Sequence, residues 1–420
     1  MKRFLFGDEK TAMKSSYIWN SLGGMLNACQ SAILLIVISR TNVPEDAGVF
    51  AIAYAIASLA LTLGNYSMRN FQVTDVTGKY SADTYFSSRI VTVFLMLVLM
   101  VTYICRGRLY LEYSLSKCMA IVWIVMLKVV DALEDVLHGL LQQNGRLDVA
   151  GKCLTIRYVI VLAVFSTGLI ISRNLSVSAF VAFLASMLWF AITAAWILPS
   201  GFISVRLKDK QIYFLLRECV SLFLGGFLTI YIANAPKYAI DAHMTEMVQA
   251  CFNYIFMPVY VISVLNAFIY QPVLNKMAVC YERKDYKAFY ELFMKQIGIF
   301  LLLFIAVLLL GSTLGIPVLS WLYNTPLGDY KKPFIILLFG SAFLACSGYL
   351  AVVIILMRKQ KWLLAGYLLS ALLALTLSSQ VVIRFGVLGA SLLYTATVFV
   401  QMCVFIAVFV IAFYKIRREG

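Results

Sequence analysis

Charge is scarce in this 420-residue chain: only 13% of residues are Asp, Glu, Lys or Arg, roughly half the share of a soluble domain. Histidine is scarcer still, with His138 and His243 alone, and the nine cysteines are dispersed with no CxxC pair. A zinc site is therefore not expected, and the thiols read as small hydrophobes in helix packing. No phosphate-cradling glycine loop and no nucleophile elbow occurs, and no polar stretch is long enough for a nucleotide-binding or soluble catalytic domain. Those absences exclude an ATP-driven pump within this chain alone and an enzyme with a soluble catalytic domain; no cofactor is expected. Net charge is +15, but the basic residues sit in short loops between apolar runs, which excludes nucleic acid as the partner and points to anionic lipid.

What is abundant is apolar: 62% of residues are hydrophobic and mean hydropathy is +0.89. A membrane-spanning helix needs about 20 mostly apolar residues. That length predicts an all-α integral membrane protein with twelve spans. The first six lie near Ser16–Ser39, Gly48–Tyr66, Tyr85–Ile104, Cys118–His138, Cys153–Ile171 and Val177–Leu198. The second six lie near Val220–Ala235, Val248–Ile269, Phe293–Leu310, Pro333–Met357, Trp362–Ile383 and Leu388–Phe413. Two joints are short, Arg173–Ser176 and Arg384–Val387, yet fusing either pair would demand a helix far longer than a bilayer is thick. The run after Met1–Lys14 has no small-residue cleavage site behind a short core, so it reads as an anchor and not a signal peptide.

Lysine and arginine set the orientation. With the N-terminus inside, 23 of the 35 fall on the inner side and 9 on the outer side, Lys237 among the latter. Arg89, Lys128 and Arg157 fall inside apolar runs. The split predicts both termini in the cytoplasm.

The basic loop Pro199–Glu218 divides six spans from six and carries enough apolar residues to lie along the membrane surface. A shift of 202 residues aligns Gly23-Gly24 with Gly225-Gly226, and Phe50 with Phe252. The organisation expected is a six-helix half over 1–198, a cytoplasmic linker over 199–219 and a second six-helix half over 220–420. Halves of even span number insert with the same polarity, so they should form parallel repeats around a central cavity.

Span 4 is the most informative segment: Lys128, Asp131, Glu134, Asp135 and His138 interrupt it. At 100° per residue, Lys128, Asp131, Asp135 and His138 fall within about 80° of one another, with Glu134 at the edge. Val130, Leu133, Leu137 and Leu140 take the opposite side. An ionisable group in hydrocarbon costs roughly 2.5–3.5 kcal/mol on insertion scales, so this face must meet water or partner charges. Arg89 in span 3 and Arg157 in span 5 are the candidate partners, with Asp135 and Arg157 at similar depth. Two readings stay open: a structural ion-pair cluster, or a lining of the transport cavity. The substrate-cavity candidates are Arg89, Lys128, Asp131 and Arg157; Glu134 and Asp135 are candidates for ion coupling. Asn27, Gln30, Asn253, Tyr254, Tyr260 and Asn266 fit interhelical hydrogen bonding as well as ligand contact. Pro236 and Pro258 are positioned to kink or end helices.

The stretch Asn234-Ala-Pro-Lys-Tyr-Ala-Ile-Asp241, followed by Gln249 to Pro258, resembles the N-x-P-R-Y pattern and following helix of Wzx-type polysaccharide flippases, with Lys237 in place of the usual Arg. Arg40–Ala55 is similar to the span 1–2 junction of the same family. The family sits in the multidrug/oligosaccharidyl-lipid/polysaccharide exporter superfamily, and the likeness covers nearly the whole chain. It implies a bacterial cytoplasmic-membrane transporter that flips a polyprenyl-diphosphate-linked oligosaccharide to the outer leaflet by alternating access, with membrane lipid and other polysaccharide-assembly proteins as partners. The implied role of Arg89, Lys128 and Arg157 is to offer positive charge to the diphosphate. A proton- or sodium-coupled drug antiporter of the same superfamily would instead use Asp131, Glu134 and Asp135. A non-transport polymerase, ligase or scaffold of glycan assembly would need a large outer loop, and the outer loops here are short.

Overall fold

Backbone groups in hydrocarbon have no water to bond, so an apolar chain of this kind satisfies them within helices. In the computed structural model, which describes residues 5–6, 12–75, 78–198 and 204–419, helices are connected by short turns and no strand occurs among the described residues. The helices are α1 (Ala12–Thr41), α2 (Pro44–Asn65), the short α3 (Met68–Thr74), α4 (Ala82–Tyr110), α5 (Leu115–Gln143), α6 (Leu147–Ser172) and α7 (Leu175–Ile197). They continue with α8 (Lys210–His243), α9 (Glu246–Glu282), α10 (Tyr286–Leu310), α11 (Ile316–Tyr323), α12 (Lys331–Leu356) and α13 (Leu363–Glu419).

Nine of the described helical rods are long and apolar enough to cross a membrane. One of the nine, α13, is two helices that meet at Gly386, whose φ of 58° and ψ of −136° break the helix. Its two legs, together with α5 at 29 residues and α9 at 37, bring the total to twelve transmembrane helices. The other short joint is equally real: Arg173 is left-handed at φ 48°, and the Asn174 side chain accepts from Val177 N at 3.1 Å to start α7. Polar caps of this type satisfy otherwise orphaned amides; Ser81 caps α4 and Ser114 caps α5 in the same way.

The chain divides into two compact units, Met1–Ile230 and Tyr231–Gly420, and the division falls inside α8. In the first unit α2 packs on α4 and α5, α5 on α7, and α6 on α1 and α7. In the second, α9 packs on α10 and α12, and α12 on α13. The second unit has an aromatic core, where Phe293 stacks on Phe409 at 4.3 Å and on Tyr349 at 5.6 Å.

Four local expectations change. Residues 199–203 of the expected surface linker lie outside the described residues, and helix resumes at Lys210, well before the apolar run proper. Residues of this stretch are tied to the start of α4: Ser204 N donates to Asp83 and Arg206 N to Ser87, each at 2.9 Å. Nearby, Lys79 donates to Glu218 at 2.5 Å, and that carboxylate raises the Lys79 ammonium above the ordinary lysine range. Second, Pro236 lies inside α8, and Pro258 and Pro272 inside α9, without ending either helix. Third, the helix of span 9 does not stop at Leu310: a π-turn at Gly311–Gly315 absorbs the glycines and Pro317 sits in the first turn of α11. Fourth, Lys237 is not in an outer loop but inside α8, and is 4% exposed.

Candidate functional site

The site is built on α5. Its charged residues recur at three- and four-residue spacing, which lines them along one side of the helix. Because α5 is packed by α2, α4, α6 and α7, that side faces protein. Lys128, Glu134 and His138 are all buried.

Asp131 is the central acceptor. It takes Lys128 Nζ on one oxygen at 2.8 Å and Arg157 Nη2 on the other at 2.6 Å. Arg157, carried on α6, also donates from Nε to Glu134 at 2.7 Å and from Nη1 to Ser186 of α7 at 3.2 Å. Lys128 donates further to Gln30 of α1 at 3.0 Å, and Gln30 accepts from Tyr54 of α2 at 3.4 Å. The Lys128 ammonium lies 5.1 Å from the Tyr54 ring centre, and the Arg157 guanidinium 4.9 Å from that of Tyr158. Such faces add modest cation–π attraction. His138 Nε2 stands 3.6 Å from Glu134.

A second group adjoins along the same helix. Asp135 accepts from Arg89 of α4 at 2.7 Å and from Arg69 of α3 at 3.4 Å. Arg89 also donates to the Gly64 carbonyl, which Thr92 Oγ1 reaches at 2.7 Å, and to Asn65 at 3.3 Å. Arg69 is completed by Gln142 at 3.0 Å. Side-chain room is minimal here: a Cβ on Gly64 would stand 2.8 Å from Met96 Sδ.

All six sequence-predicted residues, Arg89, Lys128, Asp131, Glu134, Asp135 and Arg157, thus fall in two ion-pair groups that adjoin along α5. Arg157 goes to Asp131 and Glu134, while Asp135 goes to Arg89 and Arg69. Arg69 is the residue that sequence reasoning missed. It follows two successive left-handed residues, Tyr66 and Ser67, that break α2 from α3 and turn Arg69 toward α5. The polar Tyr-Ser pair is the signal, but nothing in its composition says where the chain turns. Four cations face three carboxylates, so the set carries one net positive charge.

Such a set can do two things. Paired, it neutralises charge inside a membrane bundle at the geometry such burial demands. Opened, it presents guanidinium and ammonium donors to an anion, with resident carboxylates as the competing partners.

No family model matches the chain. A capsular polysaccharide biosynthesis protein, CapF of Staphylococcus aureus, is 24% identical over 405 residues, which is 93% of this chain and 97% of CapF. Among solved structures, the lipid II flippase MurJ in an inward closed conformation gives a TM-score of 0.70 at 14% identity, over 96% of this chain and 89% of MurJ. An inward-facing multidrug resistance MATE family transporter of the MOP superfamily gives 0.66 at 14% identity, over 96% of this chain and 98% of that one. These likenesses show the fold, which is the one shared by MOP-superfamily transporters.

Proposed function

We propose that this chain flips a polyprenyl-diphosphate-linked oligosaccharide from the cytoplasmic to the outer leaflet of a bacterial inner membrane, by alternating access, for surface polysaccharide assembly. The observation that carries the reading is the set of buried Arg89, Lys128 and Arg157 with part-exposed Arg69, one charge in excess of its carboxylates, inside a membrane bundle. A glycan diphosphate cannot cross hydrocarbon unaided, because its charges would be stripped of water without compensation. A bundle that already holds exchangeable cations offers that compensation, while the polyprenyl tail stays in lipid. The capsular polysaccharide relative, matched nearly end to end, supports a substrate of this class.

In this reading the chain is a transporter without catalytic residues. Both termini lie in the cytoplasm, and membrane lipid and other polysaccharide-assembly proteins are its partners. Arg89, Lys128, Asp131 and Arg157 contact the substrate head group; Glu134 and Asp135 carry any coupling ion. A cation antiporter built on the same acids is less well supported, since Asp131, Glu134 and Asp135 are each engaged by Arg or Lys.

The test is reconstitution into liposomes with a labelled undecaprenyl-diphosphate oligosaccharide, scoring its exposure to a membrane-impermeant modifying enzyme. Protein-dependent exposure is the expected result. No acceleration over empty liposomes, with a cationic dye transported instead, would reverse the assignment in favour of the antiporter.

A further inference from the structure

Each buried cation of the set on α5 has a carboxylate partner: Arg89 meets Asp135 at 2.7 Å, Lys128 meets Asp131 at 2.8 Å, and Arg157 meets Asp131 at 2.6 Å. Lys237 in the second unit is different. It is as deeply buried as Lys128. Its ammonium lies 5.2 Å from the ring centre of Phe256 and 5.3 Å from that of Tyr260. Among the described residues no carboxylate forms an ion pair with it.

A buried charge without a counter-ion is among the costlier things a membrane bundle can hold, and aromatic faces offset only part of that cost. The surroundings are also short of partners. Gln249, Asn253, Phe256 and Tyr260 follow one another at four-, three- and four-residue steps, so they share one face of α9. Gln249 is 2% exposed with neither amide atom hydrogen-bonded, and Asn253 is 1% exposed with its Oδ1 unbonded. The Tyr260 hydroxyl of this face donates to Asn234 of α8, one turn before Lys237, at 3.4 Å. One cation and two under-bonded amides therefore lie along the same α8–α9 seam, within the second unit.

We propose that Lys237 is an anion subsite that takes the diphosphate group of the substrate, with Gln249 and Asn253 as hydrogen-bonding neighbours. The inference rests on the flippase reading for its ligand. Its logic is exchange: a diphosphate arriving at the first unit must displace resident carboxylates, whereas at Lys237 it supplies the missing counter-ion.

The test uses the full-length protein in detergent, with inorganic pyrophosphate and farnesyl diphosphate as separate probes and calorimetry as readout. Wild type should bind farnesyl diphosphate. Lys237→Met should weaken binding by at least about tenfold, the worth of one charge-assisted contact, and Lys237→Arg should keep most of it. Because the substitution removes an uncompensated charge, Lys237→Met should melt no lower than wild type. Pyrophosphate binding that is equally sensitive to Lys237→Met assigns the subsite to the head group alone; binding of farnesyl diphosphate only assigns it to the lipid-linked form. Unchanged binding by Lys237→Met overturns the proposal. So does a lower melting temperature in both Lys237→Met and Lys237→Gln with full binding in the folded fraction, which would make the ammonium structural. Normal binding by Lys237→Met alongside lost flipping in Lys128→Ala would sink the subsite and leave the flippase; Lys237-dependent diphosphate binding without any flipping would do the reverse.

Discussion

Arg157 reaches from α6 to Asp131 at 2.6 Å and, through a second nitrogen, to Glu134 at 2.7 Å, so one guanidinium holds two carboxylates a helical turn apart on α5. No other side chain in the set bridges so much of it. Removing it leaves two buried acids facing each other with only Lys128 to compensate. Breaking a buried pair by deleting one partner costs about 3–5 kcal/mol, so Arg157→Met should lower the thermal midpoint in detergent far more than Arg69→Met. The triple variant Arg157→Met/Asp131→Asn/Glu134→Gln should recover much of the loss. A triple variant as unstable as the single would mean that shape, not charge, is what Arg157 provides.

Gly386 makes a second stability prediction. Its φ of 58° with ψ of −136° lies where only glycine is at ease, and it is the bend that turns one long apolar run into two spans. Holding any other residue there costs about 1–3 kcal/mol. Gly386→Ala should therefore destabilise, whereas Gly348→Ala, in the middle of α12 with nothing within 4 Å of the new Cβ, should not. Paired melting curves of the two variants check it, and equal midpoints would refute the role of the bend.

The twelve spans were legible because hydrocarbon thickness and apolar run length are directly coupled, and the Arg173 and Gly386 joints because no bilayer accommodates a helix twice its thickness. The set on α5 was legible because ionisable residues in such a run have few places to go. Partner choice was not. Helical spacing fixes the face on which Asp131 and Asp135 lie, but which arginine each meets depends on how α4 and α6 pack, and that is decided by contacts such as Gly64 against Met96. Pro236 and Pro258 read as positions that kink or end helices; neither ends one, because neighbouring helices can compensate a single lost backbone bond in a membrane. Arg69 escaped notice because it follows a turn with no glycine to announce it.

Orientation rests on the distribution of basic residues, which predicts an even number of crossings with the C-terminal end of α13 in the cytoplasm. A fluorescent reporter that matures only in the cytoplasm, fused after Gly420, should be bright, and a periplasm-dependent phosphatase at the same place should be inactive. Phosphatase activity there would require an odd number of crossings or an inverted protein.

Lys128 gives the sharpest functional prediction. It is buried, is held by both Asp131 and Gln30, and lies over the Tyr54 ring. If its charge serves the substrate head group, Lys128→Ala should abolish export of the lipid-linked oligosaccharide while the protein still inserts and accumulates. Lys128→Arg should keep part of the activity, because the positive charge survives even though the geometry changes. Asp131 keeps Arg157 when Lys128 is lost, so the acid is not left alone and the variant should remain folded. The double neutralisation separates the roles. Lys128→Ala/Asp131→Asn should restore any stability lost in the single variant, since it removes a pair together, yet it should not restore export, since no cation returns. Normal export by Lys128→Ala would remove the residue from the substrate path and leave it as one member of a structural network; export regained in the double variant would show that an unpaired Asp131, and not a missing cation, had blocked transport.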